Sequence, residues 1–391
     1  MGIRVRSRRW RVSLGKANLT FDLRTTPDHD EGSMNAISSG RRTAPVAARI
    51  LALSVSVALT GTVLAGCSTA GAEATDANPN YTSTASDTFP VTVEHKFGET
   101  TIDAEPQRVV VVGLTEQDIL LELGVTPIAT TEWYGEQPYA VWPWATELLG
   151  DAEPTVLSQA DGLEYEKIAA LKPDLIVGTN AGLTEETYDK LAEIAPTVTS
   201  VEGSTQYFSS WQDQTTQVAA AVGRSAEGDA LIEGVETAYA EAAAAHPEFE
   251  GLTATFSQGA PWEGNLWVYP DGLNTDFLTD LGLVITPGLE EFSPQEGSQA
   301  QISAENVGLL DADVIVFATE SDDGIGEVLD FGTIASLDAV TGQRAIFTDA
   351  ELAGAIYFLT PLSQKYVLDS LVPRLEEAVA GTAPQIGRAH V

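Results

Sequence analysis

One pattern of twelve residues occurs twice in this 391-residue chain, and it restricts the available folds more than any other feature. The first copy is Glu166-Lys-Ile168-Ala-Ala-Leu171-Lys-Pro-Asp174-Leu-Ile-Val177, and the second is Glu305-Asn-Val307-Gly-Leu-Leu310-Asp-Ala-Asp313-Val-Ile-Val316. In both, apolar residues three apart predict the last turn of a helix, and the aliphatic run that follows predicts a buried strand. Two such units, 139 positions apart, predict two similar α/β lobes, each with a glutamate at an equivalent place.

The rest of the chain extends this reading. Val109–Val112 is a continuous apolar run ending at Gly113, as expected of a parallel strand buried on both faces. Thr115 with Asp118 resembles a capping box ahead of the helix face Ile119-Leu-Leu-x-Leu123, and Pro127–Thr130 reads as the next strand. Leu175–Val177 and Thr197–Val201 continue the alternation. Ser209 with Gln212 predicts a helix start, and Trp211, Val218, Ala221, Val222, Leu231, Val235 and Tyr239 keep helical spacing. Gly223 and Gly228 interrupt that pattern, so a break or a second helix is compatible with it. This stretch reads as a rigid connector between the two halves. Strands resume at Thr253–Phe256, Leu266–Tyr269 and Val314–Phe317, with a helix near Thr275–Leu281 capped by Asn274. Thr360-Pro361 opens a terminal helix that Pro373 is expected to kink or divide.

Charge excludes one class of partner. The chain has 57 acidic and 20 basic residues, for a net charge of −37. Half of the bases precede Cys67, so the remainder carries 10 bases against 53 acids. Such a surface repels phosphate backbones, and nucleic-acid binding is excluded. A salt-tolerant source would account for the same acidity without reference to any partner.

The single cysteine rules out an internal disulfide framework. Its context is more informative. Arg41, Arg42 and Arg49 precede an apolar stretch from Ile50 to Val63, followed by Leu64-Ala65-Gly66-Cys67. The order is a positive region and then an apolar region too short for a comfortable membrane span. Leu-Ala-Gly-Cys resembles the lipobox of bacterial lipoproteins, which implies that Cys67 is lipidated and becomes the mature N-terminus. An ordinary signal peptide followed by a small buried cysteine is the alternative. Arg41-Arg42 alone lacks the rest of a twin-arginine signal. Residues 1–33 show no coherent pattern and Met34 opens a normal signal peptide, so the upstream stretch reads as a misassigned start. N-terminal sequencing of the precursor tests this. Residues from Ser68 to about 88 are small and polar, as a flexible tether would be.

No catalytic constellation stands out. His29, His95, His246 and His390 have no metal-ligand partner at standard spacing, and no nucleophile elbow or phosphate loop is present. Neither a catalytic residue nor a metal ligand is assigned. Aromatic residues are concentrated instead. Trp133, Tyr134, Tyr139, Trp142 and Trp144 follow a predicted strand, and Trp262, Trp267 and Tyr269 cluster in the second half. Loops at the carboxyl ends of strands are where open α/β sheets hold ligands, and pockets for bulky ligands are largely aromatic. The competing reading is a hydrophobic cluster that clamps a long loop. Gly178–Gly182, with Asn180 at its centre, is a βα loop suited either to a cleft or to a plain turn, and Thr184 is placed to cap the next helix. Ala318–Gly324, at the corresponding place in the second half, is acidic and reads as a solvated loop.

Three segments resemble one family. Pro106–Gly113, Glu166–Gly178 and the terminal Thr360-Pro-Leu-Ser363 helix are similar to the iron-siderophore and cobalamin binding proteins of ABC importers, over roughly residues 90 to 382. The resemblance implies two α/β lobes joined by a long rigid helix, a ligand cleft between them and little motion on binding. It also implies one exposed glutamate per lobe that docks to arginines of the permease, here Glu166 and Glu305. The expected division is a misassigned start (1–33), a signal peptide (34–66), a tether (67–89), an N-terminal lobe (90–207), a connecting helix (208–249), a C-terminal lobe (250–382) and a tail (383–391). The expected function is extracytoplasmic capture of a ferric siderophore by a lipid-anchored monomer. Iron is carried by the chelator and the protein needs no cofactor. An arginine-poor, aromatic cleft suits a ferric hydroxamate better than an anionic catecholate. Haem or cobalamin, or a non-transport interaction lipoprotein, are the alternatives.

Overall fold

A computed structural model of the chain describes residues 12–14, 17–19, 85–205, 207 and 209–384. Cys67, the expected signal peptide (34–66), most of the expected tether (67–89) and residues 385–391 lie outside the described residues. Val12–Leu14 (β1) and Ala17–Leu19 (β2) form a short antiparallel hairpin. Among the described residues, no helix is long and apolar enough to cross a membrane.

The first half holds an antiparallel hairpin, Val91–His95 (β3) and Gly98–Ile102 (β4), and a five-stranded parallel sheet. The sheet consists of Val109–Val111 (β5), Ala129–Glu132 (β6), Thr155–Ser158 (β7), Leu175–Gly178 (β8) and Thr197–Thr199 (β9), in the order β7-β6-β5-β8-β9. Successive residues of β5 feed opposite cores. Val109 and Val111 pack with Ile119, Val177 and Val218 on one face, whereas Val110 and Val112 pack with Ile168 and Ile176 on the other. Burial on both faces is why the run is continuously apolar.

The second half is a mixed sheet. Its strands are Thr253–Gln258 (β10), Asn265–Val268 (β11), Val284–Ile285 (β12), Ala300–Ser303 (β13), Val314–Ala318 (β14) and Ala345–Phe347 (β15). They run in the order β13-β11-β10-β14-β15, with β12 beside the start of β10. Two α/β lobes are therefore present, as the duplicated motif predicted.

The motif does equivalent work in each lobe. The first copy starts the helix Tyr165–Ala170 (α3) and ends in β8; the second forms a 3₁₀ turn over Val307–Leu310 and ends in β14. Each motif strand pairs in parallel with the first strand of its own sheet, β8 with β5 and β14 with β10. The repeated aspartate ties this pair together. Asp174 accepts from the backbone N–H groups of Gln107 and Arg108 at 2.9 and 2.8 Å, just before β5. Asp313 accepts from the N–H and hydroxyl of Thr253 at 2.9 and 2.8 Å, at the start of β10. An arginine completes each copy: Arg108 donates to the carbonyls of Leu171 and Lys172, and Arg344 to those of Ala312 and Asp313.

The connector is two helices, Trp211–Ala221 (α5) and Ser225–Ala245 (α6). Gly223, at φ +70°, makes the break. Gly228 lies inside α6 because the two helices approach closely there; a Cβ on it would sit 2.4 Å from that of Ala219. On α6, Leu231 packs against the N-terminal core, while Val235 and Tyr239 belong to the C-terminal core. One 21-residue helix, about 31 Å long, therefore spans both lobes. Within the segment read as tether, Ser86 and Asp87 donate their N–H groups to the Gly223 carbonyl, both at 2.9 Å.

Several local expectations are corrected. Thr115 and Asp118 form no capping box at Glu116–Glu122 (α1), because both side chains are engaged elsewhere. The cap of α5 is Ser210, whose hydroxyl accepts from Asp213 N–H, not Ser209. Thr275 precedes the short helix Asp276–Thr279 (α7), and Asn274 sits before it at φ 51°. The terminal helix Pro361–Val379 (α11) starts as expected, with Thr360 and Ser363 as a capping box, but runs through Pro373 undivided. Thr184 caps Glu185–Ala192 (α4), as its position suggested.

The two α6 glycines give opposite expectations. Gly234 has open space around its Cβ position, so Gly234→Ala should stabilise the fold by about 1 kcal/mol through helix propensity. Gly228→Ala should instead cost about 1–3 kcal/mol, because the overlap with Ala219 outweighs the same propensity gain. Urea unfolding of both variants checks the contrast.

Candidate functional site

The seam between the lobes is built around one apolar helix. Ala350–Phe358 (α10) has Leu352, Ala353, Gly354, Ala355, Ile356 and Phe358 all buried. A helix apolar on every side needs a partner on every side. One side of α10 packs into the C-terminal core. The other meets the aromatic loop of the N-terminal lobe, which runs from the end of β6 into Pro143–Leu149 (α2).

That loop closes on the helix ring by ring. Trp142 stacks on Trp144 at 5.0 Å and on Tyr134 at 5.4 Å. Trp133, Trp142 and Trp144 each reach Phe358, at 5.8, 5.9 and 5.6 Å, and Tyr134 meets Tyr357 edge-on at 5.8 Å. Trp142 is 2% exposed, and a Cβ on either Gly135 or Gly354 would lie 2.5 Å from its ring. Those two glycines make the slot that holds it, so Trp142 lies inside the packing. Trp133, Tyr134 and Trp144 remain half-buried.

Beside the rings lies a buried carboxylate. Asp118 on α1 accepts at Oδ2 from Trp144 Nε1 and from Thr360 Oγ1, both at 2.8 Å. Thr360 also accepts from Ser363 N–H, so its own hydroxyl proton is free to point at Asp118. Three elements from two lobes therefore meet at one oxygen. Asp118 Oδ1 is buried without a partner. Burial raises this carboxyl to about 7; the Trp144 and Thr360 hydrogen bonds oppose the shift and the neighbouring Glu122 adds to it. The charge of Glu122 is met by Lys365 of α11, a second tie across the seam.

At the N-terminal lobe's topological switch point, between β5 and β8, a side chain of the protein fills the crevice. Glu116 is fully buried and accepts from Asn180 N–H at 2.6 Å, Thr179 Oγ1 at 3.1 Å and Thr115 N–H at 3.1 Å. Burial raises its pKa against these bonds. Gly113 is required there, since a Cβ would lie 2.0 Å from the Glu116 carboxylate. Asn180 thus belongs to this cradle; its side-chain amide donates to Thr115 Oγ1 at 3.2 Å, and its side-chain Oδ1 has no partner.

The other expected residues are dispersed. Tyr139 packs against the cluster of Leu121, Val141 and Leu149, which Trp144 also borders, and its carbonyl accepts from Thr130. Tyr269 is core, stacked on Phe256 at 4.5 Å, with its hydroxyl raised to about 12 by burial. Trp267 is half-buried and its indole N–H has no partner. Trp262 closes the β10–β11 hairpin through paired backbone bonds with Asn265. Glu166 and Glu305 are both exposed, in the first turn of α3 and just before the 3₁₀ turn.

The acidic loop after β14 is solvent-exposed over residues 320–323, as expected, and its first acid also borders the seam. Glu320 lies against the Tyr134 hydroxyl, which completes no hydrogen bond of standard geometry. Tyr357 donates to the Ala318 carbonyl at 3.3 Å. Glu116, Asp118, Glu320, Tyr357 and Phe358 escaped the sequence reading. The signal that could have found the last two is the unbroken apolar run Leu352–Leu359 directly before the Thr360 cap.

Imidazole positions are also clear. His95 is buried against Thr100 and Tyr188, and burial, with Lys96 nearby, lowers its pKa. The one grouping of metal-ligand type among the described residues is His246 with Glu248 at 3.0 Å and Glu376 at 3.5 Å, which sequence spacing did not reveal. It is partly exposed, with His246 Nδ1 hydrogen-bonded to Glu248.

Comparison with known proteins gives a consistent result. Residues 109–352 match the family described as periplasmic binding protein. Over 247 residues the chain is 30% identical to the probable siderophore-binding lipoprotein YfiY of Bacillus subtilis, covering 60% of this chain and 71% of that protein. A solved periplasmic solute binding protein from Mycobacterium smegmatis matches with a TM-score of 0.69 at 44% identity, over 74% of this chain and 98% of the other. Streptococcus pneumoniae PiaA, solved in complex with ferrichrome, matches with a TM-score of 0.64 at 26% identity, over 74% and 99%.

The Asp118 contact carries a pH prediction. A carboxyl raised on folding binds more protons in the native state than in the unfolded one between its unfolded and folded pKa values, so its ionisation costs stability as pH rises through that window. Asp118→Asn keeps an acceptor for Trp144 and Thr360 without the charge. Its stability relative to wild type should rise by a few kcal/mol, to order of magnitude, between about pH 4 and pH 8. Chemical unfolding at a series of pH values reads the difference; a constant offset would contradict the assignment.

Proposed function

This chain belongs to the periplasmic binding protein family, and from that premise we propose that it is the solute-binding component of an ABC importer for ferric siderophores, hydroxamates in particular. The observation that carries this is the aromatic seam, in which Trp133 and Tyr134 of one lobe face Tyr357 and Phe358 of the other. Rings presented by both lobes suit a bulky chelate held by stacking and shape, with a few polar anchors such as the Tyr134 hydroxyl. Trp262, Trp267 and Asn180 remain candidate contacts at strand ends. Relatives whose names include a siderophore or a bound ferrichrome support the same class. The protein performs no chemistry in this reading, and iron arrives inside the chelator.

Haem is disfavoured because, among the described residues, no histidine lies at the seam: His95 packs against Thr100 and Tyr188, and His246 lies beside Glu248 and Glu376.

Delivery follows from the outer surface. Glu166 and Glu305, one per lobe, would dock to basic groups of the permease, where paired charges set orientation and on-rate. Cys67 would carry the lipid that holds the protein at the extracytoplasmic face, with the described domain acting as a monomer. The division into signal peptide, tether, two lobes and connecting helix is part of this proposal.

Titration with ferric hydroxamates should quench tryptophan emission, and Trp133→Ala should weaken binding at least tenfold. Absence of quenching by ferric hydroxamates, haem and cobalamin alike would return the protein to the class of interaction lipoproteins. The double variant Glu166→Lys/Glu305→Lys should bind ligand normally but fail in uptake by cells; loss of binding would show that these residues were misassigned.

A further inference from the structure

The charge of the chelate is a separate question, and its answer rests on the siderophore reading above. From residue 250 to residue 384 there are only three basic residues, Arg344, Lys365 and Arg374. Each is already engaged. Arg344 donates to the carbonyls of Ala312 and Asp313, Lys365 pairs with Glu122, and Arg374 pairs with Asp349 at 2.7 Å. The C-terminal lobe therefore has no cationic head free to meet an anionic chelate.

Carboxylates occupy the places such heads would take. Glu320 lies two residues beyond β14, against the Tyr134 hydroxyl at the seam, with Tyr357 close by. It also lines a cavity of about 230 Å³ with Asp322, Asp349 and Arg374, the last two paired with each other at 2.7 Å. On the other lobe Glu132 ends β6 immediately before Trp133, half-buried, accepting from Glu136 N–H at 3.3 Å. The ring cluster is thus flanked by an acid from each lobe. No cation pairs with Glu320 among the described residues. Glu320 remains solvent-exposed, but partial desolvation on its seam side raises its pKa, and a positively charged ligand beside it would favour its ionised form.

We propose that Glu320 is a specificity-determining residue, selecting ferric hydroxamates that carry a net positive charge over neutral ones and rejecting anionic chelates. A unit charge several ångströms away in a partly desolvated cleft changes affinity by about tenfold or more for each step in ligand charge. Screening in bulk salt reduces the exposed part of this effect.

The test uses one linear ferric trihydroxamate with its terminal amine free, acetylated or succinylated, so that only the charge changes. Tryptophan quenching on the full chain should rank the three as positive, neutral, negative, with a span of about a hundredfold. At about 1 M salt, where the Debye length is about 3 Å, the span should narrow. Glu320→Gln should compress the ranking to within a few-fold, and Glu320→Lys should reverse it. Glu241→Gln, which removes an exposed acid on α6, should leave the ranking unchanged. A flat ranking in the wild type would overturn the inference while leaving siderophore binding intact. So would a ranking that survives Glu320→Gln, since the net negative field and not this residue would then be responsible. Failure of all three chelates to bind would overturn the siderophore reading and this inference with it.

Discussion

Asp118 is the contact on which the arrangement of the two lobes depends. One oxygen of this carboxylate receives the indole N–H of Trp144 and the hydroxyl of Thr360, joining α1 and α2 of one lobe to the start of α11 in the other. The bond to Thr360 links residues 242 positions apart. A buried carboxylate without a cationic partner is expensive unless its bonds are well made. The position of Trp144 then fixes Trp142, which stacks on it and fills the slot between Gly135 and Gly354. Through Trp142 the aromatic loop is set against α10.

The lobes are consequently joined in three ways: by α6, by the Asp118 contact with its neighbouring Glu122–Lys365 pair, and by the ring cluster on α10. Such multiple joining suits a protein that adapts to its ligand by side chains and small lobe adjustments more than by wide hinge motion. It also explains why several aromatic residues serve packing. Trp142 fills the slot behind the seam and Tyr269 belongs to the C-terminal core, whereas Trp133 and Tyr134 retain exposure at the seam. Glu116 has a comparable role at the switch point of the first sheet, where it replaces a ligand with a permanent internal carboxylate.

Much of the fold was legible because its signals are local. The alternating burial of Val109–Val112 and the helix-to-strand step of the repeated motif depend only on residues close in sequence. The caps Thr184 and Thr360 were legible for the same reason. The failures share a different cause. Thr115 and Asp118 have the spacing of a capping box, but Asn180, Trp144 and Thr360 compete for their side chains. Gly228 looks like a helix breaker until the neighbouring Ala219 is seen to need its small size. The Ala318–Gly324 loop is solvated over residues 320–323, as its composition suggests, but nothing in its own sequence announces the nearby Tyr134.

By itself, the sequence determined that there are two α/β lobes with a helical connector, that the surface is strongly acidic, and that equivalent glutamates sit on matching segments. These follow from periodicity, composition and repetition, which act over a few residues at a time. Only the tertiary structure decided which aromatic rings meet, which carboxylates are buried and which loop reaches the seam. Those outcomes depend on contacts between residues up to 243 positions apart. Desolvation there, unlike helix or strand preference, is set by the neighbours that folding brings together.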